Sequence, residues 1–180
     1  AITGGLKDLA KELGLDGLQV SPGTEADDIM LRRPEERQKY LEARDRLGIR
    51  SIPITSELSA VKVLRSLEEG YFVAIQGDRD YGGTGGRMPV LGREGSFPLG
   101  PFRIAAAAGV PLLPVFVLRG EEGRYRTVVE APIRVEAARR GEREEAENRA
   151  MAEFVAILER TIRVHHAQWY TFSRFWEPPT

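Results

Sequence analysis

Two short stretches in mid-chain hold the residues best suited to chemistry. Asp78-Arg79-Asp80-Tyr81-Gly82 places two carboxylates around a guanidinium, directly after the apolar run Tyr71 to Gln76. Phe97-Pro98-Leu99-Gly100-Pro101-Phe102-Arg103 then precedes a second apolar run, Val110 to Phe116. Turns at the ends of buried strands are where α/β proteins usually place their chemistry. Asp78 and Asp80 either cap turns and pair with Arg79, or serve a site. The amides of Gly100 to Arg103 can hold an anion at a helix N-terminus; the plainer alternative is a helix started by Pro101 and nothing more. Arg44, Arg79, Arg87, Arg93 and Arg103 can each take a phosphate group or stand as an ordinary surface charge. The only histidines, His165 and His166, fall at the end of a helix, where a cation is favoured.

Composition narrows the class. The 180 residues suffice for one domain with a real core, and the whole chain, 1–180, is read as a single domain. Apolar residues make up 42% and charged residues 29%, the balance of a globular protein rather than a disordered one. A net charge of −1 gives no electrostatic argument for nucleic acid. The absence of cysteine excludes disulfides and thiolate metal sites. No apolar run approaches the roughly 20 residues of a membrane span. Residue 1 is Ala rather than Met, so the natural N-terminus, with any targeting or membrane-associating segment, is expected upstream.

The elements that must position these residues follow from periodicity and turn signals. Leu6, Leu9, Ala10 and Leu13 share one helix face. Leu18 to Val20 is a short strand. Pro34 starts a charged helix, Glu35 to Leu47, that stops at Gly48, and Ile49 to Ile54 is a short strand. Thr55 or Ser56 caps a helix to Glu69 with Leu58, Val61, Leu64 and Leu67 inward. Tyr71 to Ile75 reads as a strand covered on both faces, because it is apolar without alternation. Residues 77 to 96 hold seven glycines and read as a long loop, with a short extended piece at Met88 to Leu91. A helix from Pro101 to Ala108 ends at Gly109. Leu112 to Leu118 is a buried strand, and Tyr125 to Glu130 forms an antiparallel edge hairpin with it. Met151, Phe154, Val155, Leu158 and Ile162 make the apolar stripe of a long helix from Glu145 to His166. The tail from Gln168 to Trp176 packs five aromatics into nine residues. They can lie on the core, line a groove or sit at a membrane interface. Strands alternating with helices predict an α/β fold with a mostly parallel central sheet flanked by helices.

Four features occur in a recognisable order: the Asp78-x-Asp80-Tyr81-Gly82 turn, the Phe97-Pro98-x-Gly100-Pro101 turn, the Val110-Pro111-Leu112-Leu113-Pro114 strand, and a tail with Gln168-Trp169 and Phe175-Trp176. Together they resemble the bacterial lipid A biosynthesis acyltransferases, within the glycerolipid and lysophospholipid acyltransferase superfamily. The resemblance covers nearly the whole chain and implies a glycerolipid-acyltransferase-like fold. The implied reaction moves an acyl group from acyl carrier protein or a coenzyme A thioester to a hydroxyl of a membrane glycolipid or lysophospholipid. No cofactor beyond the acyl-CoA or acyl-carrier co-substrate is implied. The implied location is peripheral, at the cytoplasmic face of the inner membrane.

The same resemblance implies a His-x-x-x-x-Asp/Glu motif upstream, with His as general base. Its place falls on Thr3 to Asp8, so Asp8 is the candidate orienting acid while the His position holds Thr3. Asp78 is the second candidate catalytic carboxylate, in the family's acidic turn. Arg44, Arg79, Asp80, Arg87, Pro98, Gly100, Pro101 and Arg103 are the candidate substrate contacts. Threonine is no base near neutral pH, so two classes of function compete: an acyltransferase, or a degenerate homologue retained as a lipid- or partner-binding module. The charged helix around Arg44 is either a solvated face or a carrier-protein dock. A phosphate-binding loop is disfavoured because Gly82 to Gly86 lacks the Gly-Lys-Ser/Thr ending, and Met88 breaks the dinucleotide pattern. Adjacent histidines alone make no metal hydrolase.

Overall fold

The computed structural model describes residues 18–19, 34–52, 59–80, 85–120, 123–136, 141–170 and 175–176. The expected helix at Leu6 to Leu13, the cap at Thr55 or Ser56, and Leu58 lie outside these residues, as do Thr3 and Asp8. The chain divides into two units, 1–76 and 77–180.

In the first unit β1 (Leu18–Gln19) pairs in parallel with β2 (Phe72–Val73). Between them in sequence come α1 (Pro34–Arg46) and α2 (Ser59–Glu68). Pro34 opens α1 as expected, since its missing N–H falls where no intrahelical bond is due. The helix closes with Gly48 N–H donating to the Asp45 carbonyl and Ile49 N–H to the Arg44 carbonyl, a Schellman cap. The expected strand from Ile49 is therefore not formed over 49–52. The Ile49 amide belongs to the cap, and Ile49 and Ile52 are buried as single apolar anchors. On α2 Val63 and Ser66 are buried and Leu64 and Leu67 half-buried as expected, but Val61 is 54% exposed. β2 is shorter than the apolar run suggested and only half-buried, and Ile75 beyond it is exposed. An apolar run of five residues, such as Tyr71 to Ile75, states hydrophobicity without stating face.

The second unit begins with what was expected to be a loop. β3 (Gly86–Val90) and β4 (Arg93–Phe97) form an antiparallel hairpin. Its two-residue turn has Leu91 at φ 51° and Gly92 at φ 80°, the left-handed pair that matches strand twist. Pairs alternate along such a ladder, so with Val90 and Arg93 hydrogen-bonded beside the turn, Pro89 opposite Glu94 is at a position that needs no ladder donor. A Cβ on Gly95 would lie 2.6 Å from Phe175 Cε1, so the bare backbone there admits the aromatic ring. Glycine and proline thus mark close packing and an open edge here, not a loop.

α3 (Gly100–Ala108) follows, with Pro101 in its first turn and Gly109 at its end. β5 (Val115–Arg119) and β6 (Tyr125–Val129) pair antiparallel, giving the expected hairpin. The strand does not begin at Leu112. Pro114 and Pro132 remove donors from the ladder, leaving Leu112 and Ile133 as a separate antiparallel bridge. α4 (Arg143–His165) is the long amphipathic helix, and a short 3-10 turn, His166–Gln168, continues it. Its buried face carries Ala150, Met151, Val155, Leu158 and Ile162 against Val90, Phe97, Phe102, Ile133 and Phe175. Burying side chains of this size stabilises by roughly 1.5–3 kcal/mol each. Of the three readings of the tail, packing on the core holds for Trp169, Phe175 and Trp176, whose rings meet edge to face at 4.9 to 6.3 Å.

The hairpin turn is pinned to α4. Leu91 N–H donates to Glu159 Oε2 at 3.1 Å, and Arg163 Nε donates to Glu159 Oε1 at 3.0 Å. The amide bond first, and then Arg163, hold the Glu159 carboxyl below its usual 4.5. Folded, the group is the stronger acid. Its contribution is therefore complete above the unfolded value and is lost as pH falls through the lowered folded one. Urea midpoints at neutral pH and below 4.5 are expected to differ less in Glu159→Gln than in the wild type. An equal acid loss in both proteins would remove Glu159 from the account.

Candidate functional site

The acidic turn and the Phe97-Pro98 block are drawn together by Asp80. Its Oδ2 accepts from Ser96 Oγ at 2.6 Å and from Gly85 N–H at 2.8 Å. The side chain thereby ties the end of β4 to the segment that enters β3. A Cβ on Gly85 would meet the Asp80 carboxylate at 2.5 Å, so this closure needs glycine there. Asp80 acts as an organiser of backbone, the turn-capping half of the two readings.

Asp78 is held differently. Its Oδ2 accepts from Trp169 Nε1 at 3.1 Å, across 91 residues of sequence. The pairing of Arg79 with its flanking carboxylates is not formed. Its guanidinium donates instead to the Tyr170 carbonyl at 2.8 Å. Two residues before Tyr170, Gln168 Oε1 accepts from Arg119 N–H at 2.7 Å, and Gln168 Nε2 donates to the Arg119 carbonyl at 3.0 Å. The Gln168 amide mimics a strand neighbour at the end of β5, and three consecutive tail residues lock onto the unit. The sequence flagged Gln168-Trp169 as a motif but gave no reason for it; these bonds supply one.

The remaining candidates have other partners. Arg87 donates to the Glu94 carbonyl across the hairpin at 2.9 Å, and Arg93 lies over the Trp176 ring at 5.6 Å. Pro98 is half-buried and Pro101 buried at the entry to α3. Leu99, at the N-cap, offers no side-chain cap to the first turn. A Cβ on exposed Gly100 would meet nothing within 4 Å, so crowding does not explain that glycine. Arg103 reaches Glu147 Oε2 with Nε at 3.5 Å, and Arg143 Nε donates to Glu147 Oε1 at 3.0 Å. Glu147 was missed although the signal was there: it stands one helical turn before Met151, on the apolar stripe. Arg44 belongs to the first unit, where it is 7% exposed and donates to Ser51 Oγ at 3.3 Å. That burial argues against a solvated charge at this position of α1. Among the described residues no three His, Cys, Asp or Glu side chains converge on a metal-sized space. No helix among them is long and apolar enough to cross a membrane.

The model of the bacterial lipid A biosynthesis acyltransferase family matches residues 32–177. The chain belongs to this family. The match takes in the acidic turn, the Phe97 to Arg103 block, the strand after it and the aromatic tail, the four features on which the resemblance rested. Thr3 and Asp8 lie outside the matched residues. No curated protein matches the chain. In this lipid A acyltransferase family domain the two carboxylates of the acidic turn are bonded differently: Asp80 accepts from Gly85 and Ser96, and Asp78 accepts from Trp169 of the tail.

Proposed function

We propose that this domain transfers a fatty acyl group from an acyl carrier protein or coenzyme A thioester to a hydroxyl of a membrane glycolipid or lysophospholipid. The observation that carries the reading is the family match, which spans both candidate motifs. In the reaction the acceptor oxygen attacks the thioester carbonyl carbon. The new C–O bond forms as the C–S bond breaks, and the hydroxyl proton passes through a base to the departing thiolate. Asp78 serves the reacting groups, Asp8 occupies the orienting-acid position, and Arg79, Arg87, Arg103 and Arg44 are the cations for donor or acceptor phosphates. Pro98, Gly100 and Pro101 shape the turn that meets the acceptor's polar head. The fold that goes with this reading is a mostly parallel sheet; among the described strands β1–β2 is parallel, while β3–β4 and β5–β6 are antiparallel. The domain acts at the cytoplasmic face of the inner membrane as a peripheral protein.

The second reading is a binding module that has lost turnover. It is favoured by the base position: Thr3 offers only a hydroxyl, and the chain's two imidazoles stand at the end of α4. Neither His165 nor His166 is bonded to Asp78 or Asp80, whose partners among the described residues are Trp169, Gly85 and Ser96. One assay separates the readings. The full-length protein is incubated with lauroyl-CoA or a lauroyl-acyl carrier protein and a bacterial glycolipid extract. The lipids are then read by mass spectrometry and the released thiol by a colorimetric reagent. Acylated lipid from the wild type supports transfer. No product from the wild type, with product from Thr3→His, supports the binding module. No product from either overturns the transfer reading.

A further inference from the structure

We infer that Trp169 is a positioning residue of the acyl-transfer site: its indole N–H fixes the Asp78 carboxylate from the C-terminal tail. The inference rests on the transfer reading, in which Asp78 serves the reacting groups. Three observations carry it. The indole donates to Asp78 Oδ2 at 3.1 Å, so one carboxylate oxygen is spoken for and the direction of the other is set. The neighbouring residues return the contact, because Arg79 donates to the Tyr170 carbonyl at 2.8 Å. Two bonds between consecutive residues on each side fix rotation as well as distance, which a single bond cannot do. Finally, the indole itself is held by ring edges, with Phe175 at 5.2 Å and Trp176 at 6.3 Å between centroids. Phe175 in turn sits on Phe97 at 5.4 Å, in the buried core. A donor clamped in this way points at Asp78 whether or not substrate is present, and pre-set geometry is what a reacting centre gains most from. The aromatic tail then has a reason to hold tryptophan, not merely a large ring, at this position.

The test uses full-length protein with lauroyl-acyl carrier protein and the glycolipid extract. Trp169→Phe keeps the ring and removes the donor. It is expected to lower kcat about tenfold, the loss that goes with one hydrogen bond to a charged group, with KM within about twofold. In an Asp78→Asn background the same change is expected to add nothing, because the two act as one unit. Trp176→Phe trims the same aromatic cluster without touching Asp78, and is expected to keep kcat within about twofold. In the spectrum of 15N-labelled indoles, the signal lost in Trp169→Phe is expected to move in Asp78→Asn. Additive losses in the double variant, or an equal loss in Trp176→Phe, would overturn the proposal and leave the indole as packing. If Trp169→Phe does not fold, an Asp78→Asn spectrum in which no indole signal moves overturns it. An Asp78→Asn loss that Trp169→Phe does not share removes this proposal alone. A wild type without turnover, or an Asp78→Asn protein with full turnover, removes the reading of Asp78 and the proposal with it.

Discussion

Phe97→Ala is expected to lower the unfolding free energy of the residue 77–180 unit by about 3 to 5 kcal/mol. Phe97 ends β4 with no exposed surface, and its ring meets Phe175 edge-on at 5.4 Å with an interplanar angle of 88°. Truncation removes the transfer free energy of the ring, adds a cavity, and takes the edge contact, itself worth about 0.5–1.5 kcal/mol. The surroundings cannot collapse into the space readily. Phe97 is paired with Gly86 across the hairpin, and the backbone next to it carries the Asp80 closure through Ser96. Against a typical total of about 5 to 15 kcal/mol, the loss is a large fraction of what holds the unit folded. Phe97→Leu keeps most of the volume and is expected to cost about 1.5 kcal/mol or less. Val61→Ala, at an exposed position, is expected to stay within about 0.5 kcal/mol. Denaturant midpoints at constant m-value measure all three. A Phe97→Ala loss under about 1 kcal/mol would contradict its place in the core.

What the sequence disclosed, and what it hid, divides along physical lines. α4 was legible because its stripe, Met151 to Ile162, runs for about three turns, long enough for periodicity to identify both helix and face. α3 was legible from its ends, Pro101 and Gly109. The β3–β4 hairpin was not, because its glycines answer to neighbours far away in sequence: Gly95 to Phe175, and Gly86 to Met151. Composition cannot distinguish a glycine that frees a loop from one that admits a side chain. The turn itself, Leu91-Gly92, lacks the Asn-Gly signature because Glu159 supports it from α4. In the candidate site the same split holds. The acidic turn and the Pro98 to Arg103 block were found from residue type and order. The partners that decide their roles, Trp169 for Asp78, Ser96 for Asp80 and Glu147 for Arg103, are long-range bonds that no local pattern encodes. The pairing of Arg79 with its neighbours, one of the two readings of the turn, fails for the same reason, since the Tyr170 carbonyl takes the guanidinium.

Removing both arginines from Glu147 is expected to destabilise more than removing Glu147 itself. The Glu147 side chain is 7% exposed on the face of α4 that meets α3, while Arg103 and Arg143 are 60% and 51% exposed. Arg143 also donates to the Arg103 carbonyl at 3.1 Å, so carboxylate, helix backbone and two cations form one connected group. The burial is unequal, and the costs are therefore unequal. Glu147→Met releases two guanidinium groups that already touch water, and it places an apolar chain where apolar neighbours lie. Its effect is expected within about 1 kcal/mol of zero. Arg103→Ala with Arg143→Ala leaves a carboxylate without a cation in a site almost closed to solvent, for which about 3 to 5 kcal/mol is the upper bound. The guanidinium groups are half in water, so the realised figure falls below that bound. Each single arginine variant leaves the other cation in place, so the double loss is expected to exceed the sum of the singles. A thermodynamic cycle on these four proteins measures that excess directly. A double variant no less stable than Glu147→Met would mean that water reaches the carboxylate once the arginines are gone. The contact between α3 and α4 would then open at this end, and Arg103 would owe its position at the Pro98 to Arg103 turn to something other than Glu147.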